Sequence, residues 1–133
     1  MMPKRYLLDT DLLIAAFRVN RKAVSFMAGL TGDQLVCSTV TYIEVAAGEF
    51  RRDPRRDQTL RDMFQGFTLV PLSEEIAKRA GREVVRIGSA VAKLRSGDLA
   101  IGATALVERR TLVTRNVKHF ALIPGLKIED WSE

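Results

Sequence analysis

The chain has 133 residues, 47% hydrophobic and 28% charged, which suits one domain burying roughly two thirds of its unfolded surface and is too short for two independent cores. A single cysteine, Cys37, excludes an intrachain disulfide, and one thiol with one histidine (His119) is too little for a thiolate zinc site; no run approaches the ~18 consecutive apolar residues of a membrane span. Lys and Arg number 21 against 16 Asp and Glu, a net charge of +5 that favours a polyanionic partner.

Met1 to Arg5 lead straight into a strand-like run, without the apolar region and cleavage site of a signal peptide, so a cytoplasmic protein is expected. Tyr6-Leu7-Leu8 reads as a buried strand, and Asp9-Thr10-Asp11 supplies helix-start residues before an apolar stretch ending at Phe17. A second helix is expected from Arg21 to Leu30, stopped by Thr31-Gly32-Asp33, and Gln34 to Cys37 form the next strand, closed by Ser38 and Thr39. Thr41 to Arg52 has helical spacing, Pro54 ends it, and a basic helix follows from Arg55 to Phe64. After Gly66, Phe67 to Val70 is a third strand, and Ser73-Glu74-Glu75 opens a long helix toward Leu94, weakened by Gly81 and Gly88. Ser96-Gly97 breaks the chain, Asp98 begins a helix through Arg109, Thr111 to Thr114 is strand four, a turn surrounds Lys118 to Phe120, and Leu126 to Ile128 is strand five. Strands separated by helices imply an α/β fold, a single domain over residues 1–133 with a parallel sheet covered on both faces.

Functional groups in such a sheet gather at the C-terminal ends of the strands. Asp9 ends strand one, Glu44 begins the helix after strand two, and Asp98 begins the helix leading into strand four. Convergent carboxylates suit a hard divalent cation such as magnesium or manganese, which can activate water and neutralise charge on phosphorus. Each acid also has a plainer explanation: Asp9 or Asp11 as a helix N-cap, Thr41 with Glu44 as a capping box, and Asp98 as a first-turn acid. Thr10 and Thr114 are placed to hydrogen-bond the acids, more so than Ser38 and Thr39, and Arg115 to contact phosphate. Asp11 and His119 read as structural rather than chemical. Two basic clusters, Arg51 to Arg56 and Lys93 to Arg95, offer phosphate contacts or plain solvated faces in equal measure, and Cys37 reads as core filler.

Leu7-Leu8-Asp9-Thr10-Asp11-Leu12-Leu13-Ile14, Thr41-Tyr42-Ile43-Glu44-Val45, Ser96-Gly97-Asp98-Leu99-Ala100-Ile101-Gly102-Ala103-Thr104-Ala105 and Leu112-Val113-Thr114-Arg115-Asn116-Val117-Lys118-His119-Phe120 resemble, in that order, the four motifs of the PIN-domain family, and within it the VapC-type toxins and their FitB-like relatives. The resemblance covers nearly the whole chain. It implies a three-layer α/β/α sandwich with about five parallel strands in order 3-2-1-4-5. The implied activity is a metal-dependent endoribonuclease using magnesium or manganese, with Asp9, Glu44 and Asp98 as metal ligands. The implied partners are an RNA substrate, a cognate antitoxin whose tail crosses the site, and a second copy of the chain. Asn116 stands where many relatives place a fourth acid, so a catalytic set of Asp9, Glu44, Asp98 and Asn116 holds one cation firmly and at lower charge. Apolar helix residues Phe17, Phe26, Met27 and Leu30 are candidates for self-association.

Two other classes fit parts of the sequence. Asp9-Thr10-Asp11 after an apolar strand imitates a haloacid-dehalogenase-like phosphatase, but Leu13 and the residues after Gly97-Asp98 depart from that pattern. A non-catalytic RNA- or partner-binding module would use the acids as caps and the basic helices for affinity.

Overall fold

β1 (Tyr6–Leu8) and β2 (Val36–Ser38) are each three residues long and wholly buried. Their side chains alternate between two separate cores, as the period-2 geometry of a strand requires. Tyr6, Leu8 and Cys37 enter one core with Leu12, Leu13, Ala23, Val45, Leu60 and Phe64; Leu7 and Val36 enter the other with Ile76, Ile101, Phe120 and Ile123. A sheet with apolar residues on both faces needs helices on both, and this chain supplies them.

The structure, a computed structural model, describes residues 2–133; Met1, with which the expected domain and its lead-in begin, lies outside them. After β1 come α1 (Thr10–Phe17) and α2 (Arg21–Ala28), a 3-10 turn at Gly32–Gln34, then β2, α3 (Thr39–Arg52), α4 (Asp57–Met63) and β3 (Thr68–Val70). α5 (Glu74–Ile87), a second 3-10 segment (Gly88–Lys93), α6 (Ser96–Glu108), β4 (Thr111–Val113), α7 (Val117–Phe120) and β5 (Ile128–Glu129) complete the chain. No helix among the described residues is long and apolar enough to cross a membrane.

All the ladders are parallel, in two hydrogen-bonded pieces: β1-β4-β5 and β2-β3. β1 and β2 lie side by side between them, which gives the expected order 3-2-1-4-5, but no ladder of hydrogen bonds joins the two. Side chains cross that seam instead. Gln34 Nε2 donates to the Lys4 carbonyl at 3.1 Å at one end, and the Thr10 hydroxyl donates to Glu44 at the other.

Several boundaries differ from the sequence expectation, each for a local reason. The long helix expected to reach Leu94 stops at Ile87, because Gly88 takes φ 69°, a left-handed value that an α-helix does not contain. The helix expected from Asp98 begins two residues earlier, absorbing Ser96 and Gly97, so Asp98 sits in its first turn. The helix after strand two starts at Thr39 with Ser38 as its cap, the Ser38 hydroxyl accepting from Val40 N at 3.0 Å; Thr41 and Glu44 therefore form no capping box. Asp53 accepts from both the backbone N and Nε of Arg55, turning the chain and delaying α4 to Asp57. β5 falls at Ile128–Glu129 rather than Leu126 to Ile128, since Leu126 is still engaged in the preceding turn through Ile123. Phe17, Phe26, Met27 and Leu30, the candidates for self-association, are half-buried against the first core, with Phe26 against Tyr6 and Phe17 against Phe64.

α6 packs close on the segment between α7 and β5, and its alignment sets where Asp98 projects. Gly102 permits the approach: a Cβ there would run into the buried Ile123 side chain. Gly102→Ala gains helix propensity of up to ~1 kcal/mol but overpacks the core by about 1–3 kcal/mol. With the full propensity gain the expected net is a loss of up to about 2 kcal/mol, read as a lower midpoint in urea denaturation with an unchanged slope.

Candidate active site

Asp9 follows β1 directly and is 6% exposed. It occupies the N-cap position of α1, yet its side chain makes no capping bond to the helix; its Oδ2 accepts instead from the Thr114 hydroxyl at 2.7 Å. Parallel pairing makes this possible. β1 runs beside β4 in the register Leu8 to Val113, and Asp9 N continues it by donating to the Val113 carbonyl at 3.0 Å, which brings the next residue on each strand together. Thr114 in turn accepts from Asn116 N at 3.0 Å, so its single proton is directed toward the acids.

Asp11 lies beside Asp9 with both oxygens engaged. Oδ1 accepts from Trp131 Nε1 at 3.0 Å, and Oδ2 accepts from Arg115 N at 3.1 Å with the Thr114 hydroxyl at 3.1 Å. It fastens the C-terminal segment and the loop after β4 to the start of α1. That is a structural task, in keeping with its sequence reading, although its carboxylate also lines the cleft described below. The Trp131 contact was not legible in sequence, because it joins residues 120 positions apart.

Glu44 is on the second turn of α3, where its Oε1 accepts from the Thr10 hydroxyl at 2.5 Å, while Thr41 sits 3.2 Å from the same hydroxyl. The first turn of α6 closes on it: a side chain at Gly97 would meet Glu44 Oε2 at 3.6 Å. Asp98, next in that turn, accepts weakly from Arg95 N at 3.3 Å. Its helix-start role and its position facing the acids are thus both present.

An open cleft of about 480 Å³ lies along this edge, lined by Asp11, Asp98, Asn116, Lys93, Arg95, Arg115 and His119; Asp9 and Glu44 are not among its lining residues. The basic cluster at Lys93 to Arg95 therefore belongs to the site. The other cluster does not: Arg56 pairs with Glu49 at 2.8 Å, Arg55 with Asp53 at 3.1 Å, and none of Arg51 to Arg56 lines the cleft. The sequence signal that separates them is position, since Lys93 and Arg95 immediately precede Ser96-Gly97-Asp98. His119, read as structural, is exposed on the cleft wall. Arg115 places its guanidinium 5.5 Å from the Trp131 ring centre, a cation–π distance that holds it at the rim. Cys37 is fully buried, and burial pushes its thiol up to about 12, as suits core filler.

The electrostatics of Asp9 show what the arrangement lacks. Burial and the nearby negative charge of Asp11, with a smaller contribution from Asp98, push its carboxyl up to about 7, against the Thr114 hydroxyl and the Thr10 amide, which lower it. A proton relieves this crowding, and so would a cation. The available donors, carboxylates of Asp9, Glu44 and Asp98 and the amide carbonyl of Asn116, are all hard oxygens of the kind magnesium and manganese prefer. Among the described residues no three acidic, histidine or cysteine side chains already form a closed cluster. The donor chemistry fits a hard divalent ion, and the geometry leaves an ion to draw its ligands together.

Comparison with known proteins identifies the family and the fold. The PIN domain family matches residues 6–126. "Ribonuclease VapC10" of Mycobacterium tuberculosis is 34% identical over 122 residues, covering 91% of this chain and 90% of that protein. A toxin–antitoxin complex from Klebsiella pneumoniae contains a chain 32% identical with a TM-score of 0.75, covering 91% of this chain and 94% of that one. The DNA-bound VapBC of Salmonella typhimurium shares the fold at a TM-score of 0.82 and 20% identity, with 97% and 99% covered. Nothing in these similarities favours the phosphatase or the non-catalytic module.

The Asp9 shift makes stability depend on pH with a definite sign. The folded state holds a proton that the unfolded chain releases near 3.8, so the metal-free protein loses stability as pH rises from about 4 to about 7. Thermal melts in chelator should show this fall, and Asp9→Asn, which cannot ionise, should flatten it and melt higher than wild type above neutral pH.

Proposed function

The chain belongs to the PIN-domain family, as a VapC-type ribonuclease, and we propose that the acid-lined cleft is where it hydrolyses RNA, with Asp9, Glu44 and Asp98 holding magnesium or manganese. It is the toxin of a toxin–antitoxin pair. The observation that carries the site assignment is the buried Asp9, whose carboxyl is pushed up to about 7 by burial and neighbouring carboxylates beside a cleft with cationic walls.

A divalent ion bound there supplies charge neutralisation at phosphorus and an activated water. The protein's own side chains do the positioning. Thr114 fixes the rotation of Asp9, and Thr10 does the same for Glu44, so neither acid is free to turn away. Asn116 offers a carbonyl oxygen where relatives carry an acid, at lower negative charge. Lys93, Arg95 and Arg115 line the cleft and offer cations to the phosphates of a bound strand, and Arg115 is braced by Trp131 and by the Asp11 contact to its backbone.

The same reading places the protein in the cytoplasm, neutralised by a cognate antitoxin whose tail crosses the cleft, and self-associating. With Phe17 and Phe26 half-buried against the core, the exposed apolar side chains available to a second copy include Val19, Ile43 and Val85, exposed by 78%, 65% and 82%. A homodimer at about tens of micromolar is expected by light scattering, and a monomer there would remove self-association from the proposal.

Purified protein should cleave RNA with added magnesium or manganese and stop in excess chelator. Asp98→Asn should lower cleavage by more than ~100-fold and Thr114→Val by ~10–100-fold, the usual cost of removing a group that orients a metal ligand, with both variants folded by circular dichroism. Wild-type cleavage that persists in chelator, or full activity in Asp98→Asn, would overturn the assignment.

A further inference from the structure

The opposite edge of the sheet carries a second concentration of cations. Lys4 and Arg5 lead into β1, Arg109 and Arg110 into β4, and Lys127 into β5. These strands are neighbours and parallel, so the residues that precede them emerge side by side. Two adjoining hollows of about 410 and 260 Å³ share Arg110; Lys4 and Arg5 line the first, Arg109 and Lys127 the second.

Arg110 is the unusual member. Its side chain is 13% exposed, and its Nε is buried without a hydrogen-bond acceptor. The nearest carboxylate oxygen, on Glu108, stands 3.9 Å away, and Nη1 reaches only a long 3.4 Å contact to the Tyr6 carbonyl. Burial and the neighbouring Arg5 charge both disfavour its cationic form. A buried guanidinium short of acceptors is costly, and an oxyanion held in either adjoining hollow would offset its charge together with that of its neighbours. The nearby acids, Asp33 in the first hollow with Glu108 and Glu129, are fewer than the cations Lys4, Arg5, Arg109, Arg110 and Lys127. Lys4 is paired with Glu129 at 2.9 Å, but Arg5, Arg109 and Lys127 have no carboxylate partner among the described residues.

We propose that this edge is a second phosphate-binding site, which grips the backbone of a long or folded RNA away from the scissile bond. The proposal rests on the ribonuclease reading for its choice of polyanion. Arg5 and Asp9 lie at opposite ends of the same strand, ~13 Å apart at the rise of extended chain. A short oligoribonucleotide therefore fills the cleft alone, whereas an RNA that folds around the domain touches both edges. Each cation engaged releases counterions, so the second site adds affinity that falls steeply with salt.

The test uses Arg5→Gln/Lys127→Gln, both exposed and outside the cleft. Binding of a long structured RNA is measured in chelator across a salt series, and cleavage of a short single-stranded oligoribonucleotide is measured with manganese. The double variant should bind the long RNA roughly tenfold more weakly, with a log–log salt slope shallower by about 1–2, and should cleave the short substrate at the wild-type rate. Unchanged affinity and slope would overturn the second site, as would an equal loss of short-substrate cleavage, which would place the effect in the cleft or the fold. Thermal stabilisation of the wild type by inorganic phosphate, alongside unchanged RNA binding in the double variant, would assign the edge to a free anion and overturn the RNA proposal. A wild type that cleaves neither RNA sinks the ribonuclease reading, while the binding arm still reports on this edge.

Discussion

Everything at the acidic edge depends on negative charges held together at the end of a buried strand. Asp9 has almost no water to solvate it and has Asp11 beside it, so the folded chain holds a carboxyl that gives up its proton only near neutrality. Such crowding costs free energy in the isolated protein and becomes useful only when a cation arrives. The neighbouring elements make sense as supports for that strained group. β4 is registered to deliver Thr114, α3 is anchored to bring Glu44 to Thr10, and Gly102 lets α6 settle low enough to carry Asp98 to the same edge.

Much of this was legible in the sequence, because the strongest local patterns and the site share one origin. Apolar triplets such as Tyr6-Leu7-Leu8 and Thr111-Leu112-Val113 can be buried on both faces only in a covered parallel sheet, and parallel strands place the residue after each triplet at a common edge. Asp9 and Thr114 follow from that rule alone. Glu44 is different. Its sequence context allowed a capping box with Thr41, and only the earlier helix start at Ser38 and Thr39 turns it from a cap into a side chain facing α1.

What the sequence could not show is set by contacts between distant residues. The partners of Asp11 lie at Arg115 and Trp131, and no local pattern connects them. The two basic clusters look alike as strings, yet in one Arg55 and Arg56 pair with Asp53 and Glu49 and no member reaches the cleft, while the other opens onto it. The residues that lead into β1, β4 and β5 were unremarkable singly; adjacency in the sheet makes them a surface.

The seam between β1 and β2 gives the molecule a mechanical property that a continuous sheet would not have. No ladder bonds resist shear along it, so apart from side-chain packing the two halves are clasped by one polar contact at each end, Gln34 to Lys4 and Thr10 to Glu44. The clasp at the acidic end is made by a carboxylate that the catalytic ion would also claim. Glu44 Oε1 accepts from Thr10 while Oε2 is left for an ion, so filling the centre would fix the same side chain that joins the two halves.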